Sequence, residues 1–339
     1  MDEGPLVVVT DCDLPDHRIA VEVLTRAGMR VRQANCRTPE EVVAAARGAA
    51  ALLVQWAPIT ADVLAELGTC RFISRLGIGY DMIDVAAATR RGIAVANTPE
   101  YCVEEVATHT IALALGLVRG IPALHESVSG NEWPAAGAVV RMSRPSDSTV
   151  SVIGFGRIGS RVAASARALG FSVLVHDPYL AAGIVETAGY RAVDLESALS
   201  QADIVSLHVP LTARTRHLID RHRLELMKPG SVVVNTCRGG LIDESALVDA
   251  LVDGRLGGAA LDVFETEPLP ADDRLRSAPR VLLTPHMAWY SEEALAELPR
   301  SAAAQIVEFL SGATVASIVN PGYEDHLREA GVGSPGERQ

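Results

Sequence analysis

The chain has 339 residues, 48% of them hydrophobic, enough for two domains with cores of their own, and a net charge of −12 with no offsetting basic cluster, which argues against binding a nucleic-acid backbone. Aromatic residues make up only 4%, so those cores must be built from Ala, Val and Leu. The five cysteines, at 12, 36, 70, 102 and 237, form no CxxC and no paired spacing, which argues against a disulfide framework or metal site and fits a reducing, cytoplasmic setting.

The start, Met1-Asp-Glu-Gly-Pro, runs straight into an apolar strand, with no basic segment followed by an apolar stretch, so no signal peptide is expected. No 18-residue apolar run exists, so no membrane span is expected. Short apolar strands then alternate with helical patterns, as in a parallel α/β unit. Strands are predicted over 6–10, 29–34, 51–55, 72–76 and 94–96. Helices are predicted over 18–27, 39–47 and 60–67, the last with Thr60 as N-cap. After Asn97-Thr98-Pro99, residues 103–118 read as a long Ala/Leu-rich helix, a buried connector between domains. Residues 121–148 read as an irregular arm in which Trp133 and Val139-Val140 need cover. A second set of six strands follows at 149–153, 171–176, 203–207, 231–235, 258–261 and 281–283. A helix over 291–310, interrupted by Pro299, is expected to return to the first domain, and the polar tail from Tyr323 to Gln339 to be mobile.

The most informative local pattern opens the second set. Thr149–Ile153 is a strand, Gly154-x-Gly156-x-x-Gly159 a turn, Ser160–Leu169 a helix and Phe171–His176 the next strand. That strand ends at Asp177, 18 residues beyond the third glycine. This is the dinucleotide-binding fingerprint in its full context. Gly154 allows the tight turn, Gly156 lets the backbone approach a pyrophosphate, and Gly159 lets helix and strand pack closely. The helix N-terminus faces the phosphates. A carboxylate at 177 suits the ribose hydroxyls of NAD and repels the 2′-phosphate of NADP. The fold class expected is therefore α/β with two Rossmann-like domains. A flavodoxin-like substrate domain (1–98 plus 291–322) receives an inserted NAD-binding, doubly wound parallel sheet (99–290), and 323–339 forms the tail.

Three later strands deliver polar residues at their carboxyl ends, where open α/β sheets bind ligands. They are Arg238 after Val232-Val-Val-Asn235, Glu267 after Ala260-Leu-Asp262, and His286 after Leu282-Leu-Thr-Pro285. A guanidinium fits a carboxylate bidentately. A histidine exchanges a proton near neutral pH, and a glutamate beside it stabilises the imidazolium.

With these motifs in place the chain resembles the D-isomer-specific 2-hydroxyacid dehydrogenase family. The resemblance rests on Arg75-Leu-Gly-Ile-Gly-Tyr-Asp-Met-Ile-Asp84, the fingerprint, Leu207-His-Val-Pro through Ile219, Met227-Lys-Pro-Gly230, Asn235–Gly240, Asp262–Pro268 and Thr284-Pro-His286, and covers about residues 50–312. It implies that Arg238, Glu267 and His286 are the catalytic trio, and that the Arg75–Gly79 loop, with Gly77 and Ile78, holds the substrate carboxylate through backbone N–H groups. Cofactor contacts implied are Ile78, Thr110, Gly154, Gly156, Arg157, Ile158, Gly159, Asp177, Val209, Pro210, Thr215, Thr236, Cys237 and Asp262. The run His286-Met-Ala-Trp289-Tyr290 and the Arg75 loop are similar to the C-terminal binding protein-like or phosphoglycerate dehydrogenase-like branch, and the likeness to C-terminal binding proteins would bring Arg75 and Trp289 into the substrate pocket. Met82 stands where the family has asparagine. The carboxylate at 267 separates the chain from formate dehydrogenases, which place glutamine there.

The expectation is an NAD-dependent oxidoreductase that interconverts a 2-oxo acid and a D-2-hydroxy acid, with a small-molecule substrate, no metal, no nucleic-acid or membrane partner, and a homodimer through the 100–148 region. Two alternatives stand beside it: a phosphite-type dehydrogenase on the same scaffold, and an NAD(H)-sensing corepressor-like binding protein.

Overall fold

The computed structural model describes residues 4–16, 18–137 and 142–325. Up to α4 its elements are β1 (Leu6–Val9), α1 (Arg18–Arg26), β2 (Arg30–Gln33), α2 (Pro39–Ala46), β3 (Ala51–Val54), α3 (Ala61–Glu66), β4 (Phe72–Arg75) and α4 (Val85–Arg90). Then come β5 (Ala94–Ala96), α5 (Val103–Val118), α6 (Ile121–Ser129), β6 (Thr149–Ile153), α7 (Arg157–Ala168), β7 (Ser172–His176), α8 (Ala182–Thr187), β8 (Arg191–Ala192) and α9 (Leu195–Gln201). The series ends with β9 (Ile204–Leu207), α10 (Arg221–Leu226), β10 (Val232–Asn235), α11 (Glu244–Val252), β11 (Gly258–Leu261), β12 (Val281–Leu283) and α12 (Glu292–Leu310). The chain divides into two compact units, one running to Tyr101 and resuming at Ser291, the other spanning Cys102–Tyr290.

In the first unit five parallel strands lie in the order β2-β1-β3-β4-β5, the flavodoxin-like order. β1, β3 and β4 are buried along their whole length, as strands covered by helices on both faces must be. The short helices are started by side chains. Thr38 forms a capping box with Glu41, and Thr60 and Asp84 accept from the third residue of their helices, each cap contributing ~1 kcal/mol. α12 packs on α1 and β4, with Phe309 stacked on Phe72 at 4.4 Å between ring centroids. Pro299 does not interrupt it: the helix runs unbroken as Glu292–Leu310. Leu298, Ala302, Ala303 and Ile306 are buried around the proline, so tertiary packing holds the turn that lacks one hydrogen bond.

The second unit is a seven-stranded parallel sheet in the order β12-β11-β10-β9-β6-β7-β8. Its strand order reverses between β6 and β9, the switch point where such sheets bind ligands. Six of the strands are legible as apolar runs. The seventh, β8, is only two residues paired to Leu174 and Val175 at the sheet edge, too short to carry a pattern. α5 packs on α7, β10 and β11 within this unit and buries Val106, Ala107, Thr110, Leu113 and Ala114. Part of the expected irregular arm is instead helix α6, which follows Gly120 and carries Pro122 in its first turn. A proline there starts a helix rather than breaking one. Trp133 is 90% exposed, so the cover expected for it does not come from the described chain. Val139-Val140 and the expected tail beyond residue 325 lie outside the described residues. Among the described residues no single helix is long and apolar enough to cross a membrane.

Candidate active site

The turn between β6 and α7 separates its three glycines by task. Gly154 has φ 97, and a Cβ there would lie 2.4 Å from the His208 carbonyl oxygen. A Cβ on Gly159 would lie 2.0 Å from the Gly154 oxygen, so the first helical turn is pressed onto the strand end. Gly156 is different: a Cβ there would meet nothing within 4 Å. Two glycines therefore serve internal close approach, and the middle one leaves open space beside the first N–H groups of α7, where Arg157 is exposed and Ile158 half-buried. That is the cradle a pyrophosphate needs.

Asp177 follows β7. Its Oδ2 accepts from the Phe155 N–H at 2.9 Å and its Oδ1 from the Tyr179 N–H at 3.0 Å. The carboxylate is thus fixed beside the glycine turn, and each oxygen keeps a lone pair for a ribose hydroxyl.

The remaining expected nucleotide contacts hold one another. Thr110 Oγ1 donates to the Val106 carbonyl at 2.7 Å and lies 2.8 Å from Thr236 Oγ1, so both buried hydroxyls are occupied. Thr215 Oγ1 donates to the Pro210 carbonyl at 2.6 Å and accepts from the Thr212 N–H, which closes the turn after Val209-Pro210. Cys237 Sγ donates to the Leu207 carbonyl at 3.1 Å, and burial pushes its thiol up to about 12. These groups shape the cradle rather than offer donors into it.

Arg238, Glu267 and His286 follow the adjacent strands β10, β11 and β12. Asn235, 1% exposed at the end of β10, clamps the first loop: its Nδ2 donates to the Arg238 carbonyl at 2.8 Å and its Oδ1 accepts from the Cys237 N–H at 3.1 Å. Arg238 Nη1 donates to the Cys237 carbonyl at 2.8 Å. A Cβ on Gly239 would lie 1.8 Å from the Phe264 carbonyl carbon, so glycine lets the loops after β10 and β11 touch. Glu267 Oε1 accepts from the Phe264 N–H at 2.9 Å, and its Oε2 lies 2.7 Å from His286 Nδ1. Burial pushes the Glu267 carboxyl up. The His286 hydrogen bond and charge, the Phe264 N–H and the nearby Arg238 charge outweigh it, so the group lies below its ordinary value.

His286 has φ 56, a left-handed backbone that costs a non-glycine residue about 1–3 kcal/mol and persists only where its surroundings over-determine it. Asp262 supplies those surroundings. Its carbonyl accepts from the His286 N–H at 2.7 Å, and its carboxylate accepts from Thr284 Oγ1 at 2.5 Å, Met287 N–H at 2.9 Å and Ala288 N–H at 2.8 Å. Four residues to which sequence reasoning gave no role belong to this region: Asn235, Thr284, His109 and Glu244. Glu244 Oε1 accepts from the Glu265 N–H at 2.7 Å. Burial, with the charges of Glu265, Asp273 and Glu267 against one lowering hydrogen bond, pushes its carboxyl up to about 7. Trp289 is half-buried and edge-on to Tyr290, 6.0 Å between centroids. Among the described residues no group of three or more His, Cys, Asp or Glu could hold a metal.

In the first unit, Arg75 ends β4 and is 4% exposed, with its guanidinium 5.2 Å over the Trp56 ring. A Cβ on Gly77 would lie 1.3 Å from Arg75 Nη1, so glycine makes room for that guanidinium. The donors expected of this loop are narrowed. Leu76 N–H donates to the Val54 carbonyl at 2.7 Å and Gly77 N–H to the Arg75 carbonyl at 2.9 Å. The N–H groups of Ile78 and Gly79 bond to no protein group among the described residues.

Two parallel, doubly wound sheets, one with a phosphate cradle, a ribose carboxylate and an Arg–Glu–His cluster at its strand ends, define a pyridine-nucleotide-binding α/β protein. Residues 111–288 match the family model described as D-isomer specific 2-hydroxyacid dehydrogenase, NAD binding domain. The chain belongs to that family, and NAD is its cofactor. It is 38% identical over 316 residues, 93% of its length, to D-3-phosphoglycerate dehydrogenase of Methanocaldococcus jannaschii, of which it covers 59%. It spans between 49% and 59% of the length of the first three curated relatives it matches. The structure of D-lactate dehydrogenase from Aquifex aeolicus, complexed with NAD and lactic acid, is similar at TM-score 0.84 and 28% identity, covering 93% of this chain and 99% of that one. A glyoxylate reductase from Paecilomyes thermophila is similar at TM-score 0.84 and 29% identity, covering 94% and 99%.

Proposed function

We propose that this protein interconverts a 2-oxo acid and a D-2-hydroxy acid with NAD(H). The observation that carries the reading is the 2.7 Å contact between His286 Nδ1 and Glu267 Oε2, on loops adjacent to the one that bears Arg238. The names of the relatives, a D-3-phosphoglycerate dehydrogenase, a D-lactate dehydrogenase and a glyoxylate reductase, support the same reaction class.

Bound NADH supplies the hydride. Arg238 pairs with the substrate carboxylate and polarises the carbonyl beside it. Glu267 engages Nδ1 of His286, so the proton given to the nascent alkoxide leaves from Nε2. Before the transfer Glu267 stabilises the imidazolium, and after it the ring is the neutral Nδ1–H form, still hydrogen-bonded to Glu267. In the oxidative direction His286 Nε2 takes the hydroxyl proton. Asp177, with both oxygens already anchored by backbone N–H groups, cannot swing away from a 2′-phosphate, which favours NAD over NADP.

The test follows NADH absorbance with glyoxylate, hydroxypyruvate, pyruvate, phenylpyruvate and branched-chain 2-oxo acids, repeated with NADPH. Consumption with at least one acid, faster with NADH, supports the reading. Phosphite oxidation without any oxo-acid turnover replaces it with the phosphite-type alternative.

The assembly proposed is a homodimer through the 100–148 region. Ile121, Val128, Trp133 and Met142 are exposed there, an apolar surface that a second copy would cover. Light scattering that gives a monomer mass overturns it.

A further inference from the structure

We infer that His109, on α5, is a positioning residue for the loop that carries His286. The inference rests on the reading above only where turnover is measured. His109 Nε2 lies 3.1 Å from Thr284 Oγ1. Thr284 has a single O–H, and it is directed to Asp262 Oδ1 at 2.5 Å. The Thr284 oxygen can therefore only accept from His109, which requires the proton on Nε2.

Asp262 passes the restraint on. Its Oδ1 also accepts from Met287 N–H, its Oδ2 from Ala288 N–H, and its carbonyl from His286 N–H. The chain of contacts thus runs from a long helix, through one hydroxyl, to a carboxylate that is 1% exposed, and ends on three consecutive N–H groups starting at His286. His286 holds φ 56, so it depends on this scaffold more than an ordinary loop residue does. His109 Nε2 is also 3.8 Å from Asp262 Oδ1, so losing it removes a polar neighbour of that carboxylate as well as a donor to Thr284. His109 is 28% exposed at the side chain and adjoins Thr110, whose hydroxyl holds Thr236. A histidine with no task would not be expected to complete the hydrogen bonding of a half-buried hydroxyl that is itself bonded to a buried carboxylate.

The experiment uses the full chain with His109→Phe, His109→Gln and Thr284→Val. Glutamine places an amide donor near the position of Nε2, and phenylalanine keeps the ring and removes the donor. Imidazole ¹⁵N NMR of the parent should show His109 protonated at Nε2. His286 ring resonances should move in His109→Phe and return in His109→Gln. With a 2-oxo acid, His109→Phe should lower kcat about tenfold or more, since small misplacements of catalytic groups are that costly, while the NADH Kd stays within about twofold. His109→Gln should recover most of the loss, and His109→Phe combined with Thr284→Val should be no worse than Thr284→Val alone, as expected of groups acting in one chain. If no oxo acid is turned over, the activity reading fails and the NMR arm still decides the role of His109. A parent His109 with a bare Nε2, or unmoved His286 resonances in folded His109→Phe, overturns the inference. If His109→Phe does not fold, Thr284→Val and the parent spectrum carry the same decision.

Discussion

His286 Nδ1 lies 2.7 Å from Glu267 Oε2, and the other oxygen of Glu267 accepts the Phe264 N–H at 2.9 Å. The carboxylate is thereby fixed on both sides, and the ring is oriented by one of its nitrogens. Glu267→Gln keeps an acceptor for Phe264 but loses the charge that steadies the imidazolium, so kcat should fall roughly 10²-fold, within the range for acid–base groups. Because the folded-state carboxyl lies below its ordinary 4.5, the stability it contributes is present above that value and is lost as pH falls through the lowered one. The Tm deficit of Glu267→Gln should therefore be visible at pH 7 and shrink below about pH 4.5.

Glu244 behaves in the opposite sense. Its carboxyl is pushed up to about 7 from 4.5, so the folded protein binds more protons than the unfolded one between those values, and stability falls as pH rises across them. Glu244→Gln keeps an acceptor for the Glu265 N–H and removes the ionisation. Thermal melts should show the variant gaining on the parent from pH 5 to pH 8. An equal difference at both pH values contradicts this.

The fingerprint glycines should separate folding from binding. Gly159→Ala drives a Cβ into the Gly154 carbonyl and should destabilise the protein by about 3 kcal/mol, as overpacking does. Gly156→Ala meets only open space, so its Tm should stay close to the parent value while NADH affinity, read by fluorescence titration, falls at least about tenfold as the cradle is filled.

Asp177→Ser should weaken NADH about tenfold, the loss of one or two charge-assisted hydrogen bonds, and raise the relative affinity for NADPH. Unchanged NADH-to-NADPH preference would move the ribose site elsewhere.

Much of this was legible in the sequence because its signals are local. Strand, glycine turn, helix and Asp177 are contiguous, and the apolar runs of β6, β9, β10 and β11 state their burial directly. Arg238, Glu267 and His286 are legible because each lies in the loop that follows an apolar strand. What stayed hidden depends on contacts between distant segments. Nothing in Leu76 or Gly77 announces that their N–H groups are taken by Val54 and Arg75, and nothing in Thr110 announces Thr236. His109 and Thr284 are 175 positions apart. Helix α6 stays hidden because Gly130, Pro134, Gly137 and Pro145 make the whole 121–148 stretch read as irregular, and no buried stripe marks the helix out.

The most direct measurement is single-turnover NADH oxidation by the parent and by His286→Asn, with the best 2-oxo acid from the panel and NADH binding measured on the same samples. Hydride transfer should fall at least about 10²-fold in the variant while the NADH Kd stays within about twofold. Parent-like turnover in a variant that binds NADH normally would contradict the assignment of His286 as the proton donor, and with it the reading of the Arg238–Glu267–His286 cluster as the reactive centre.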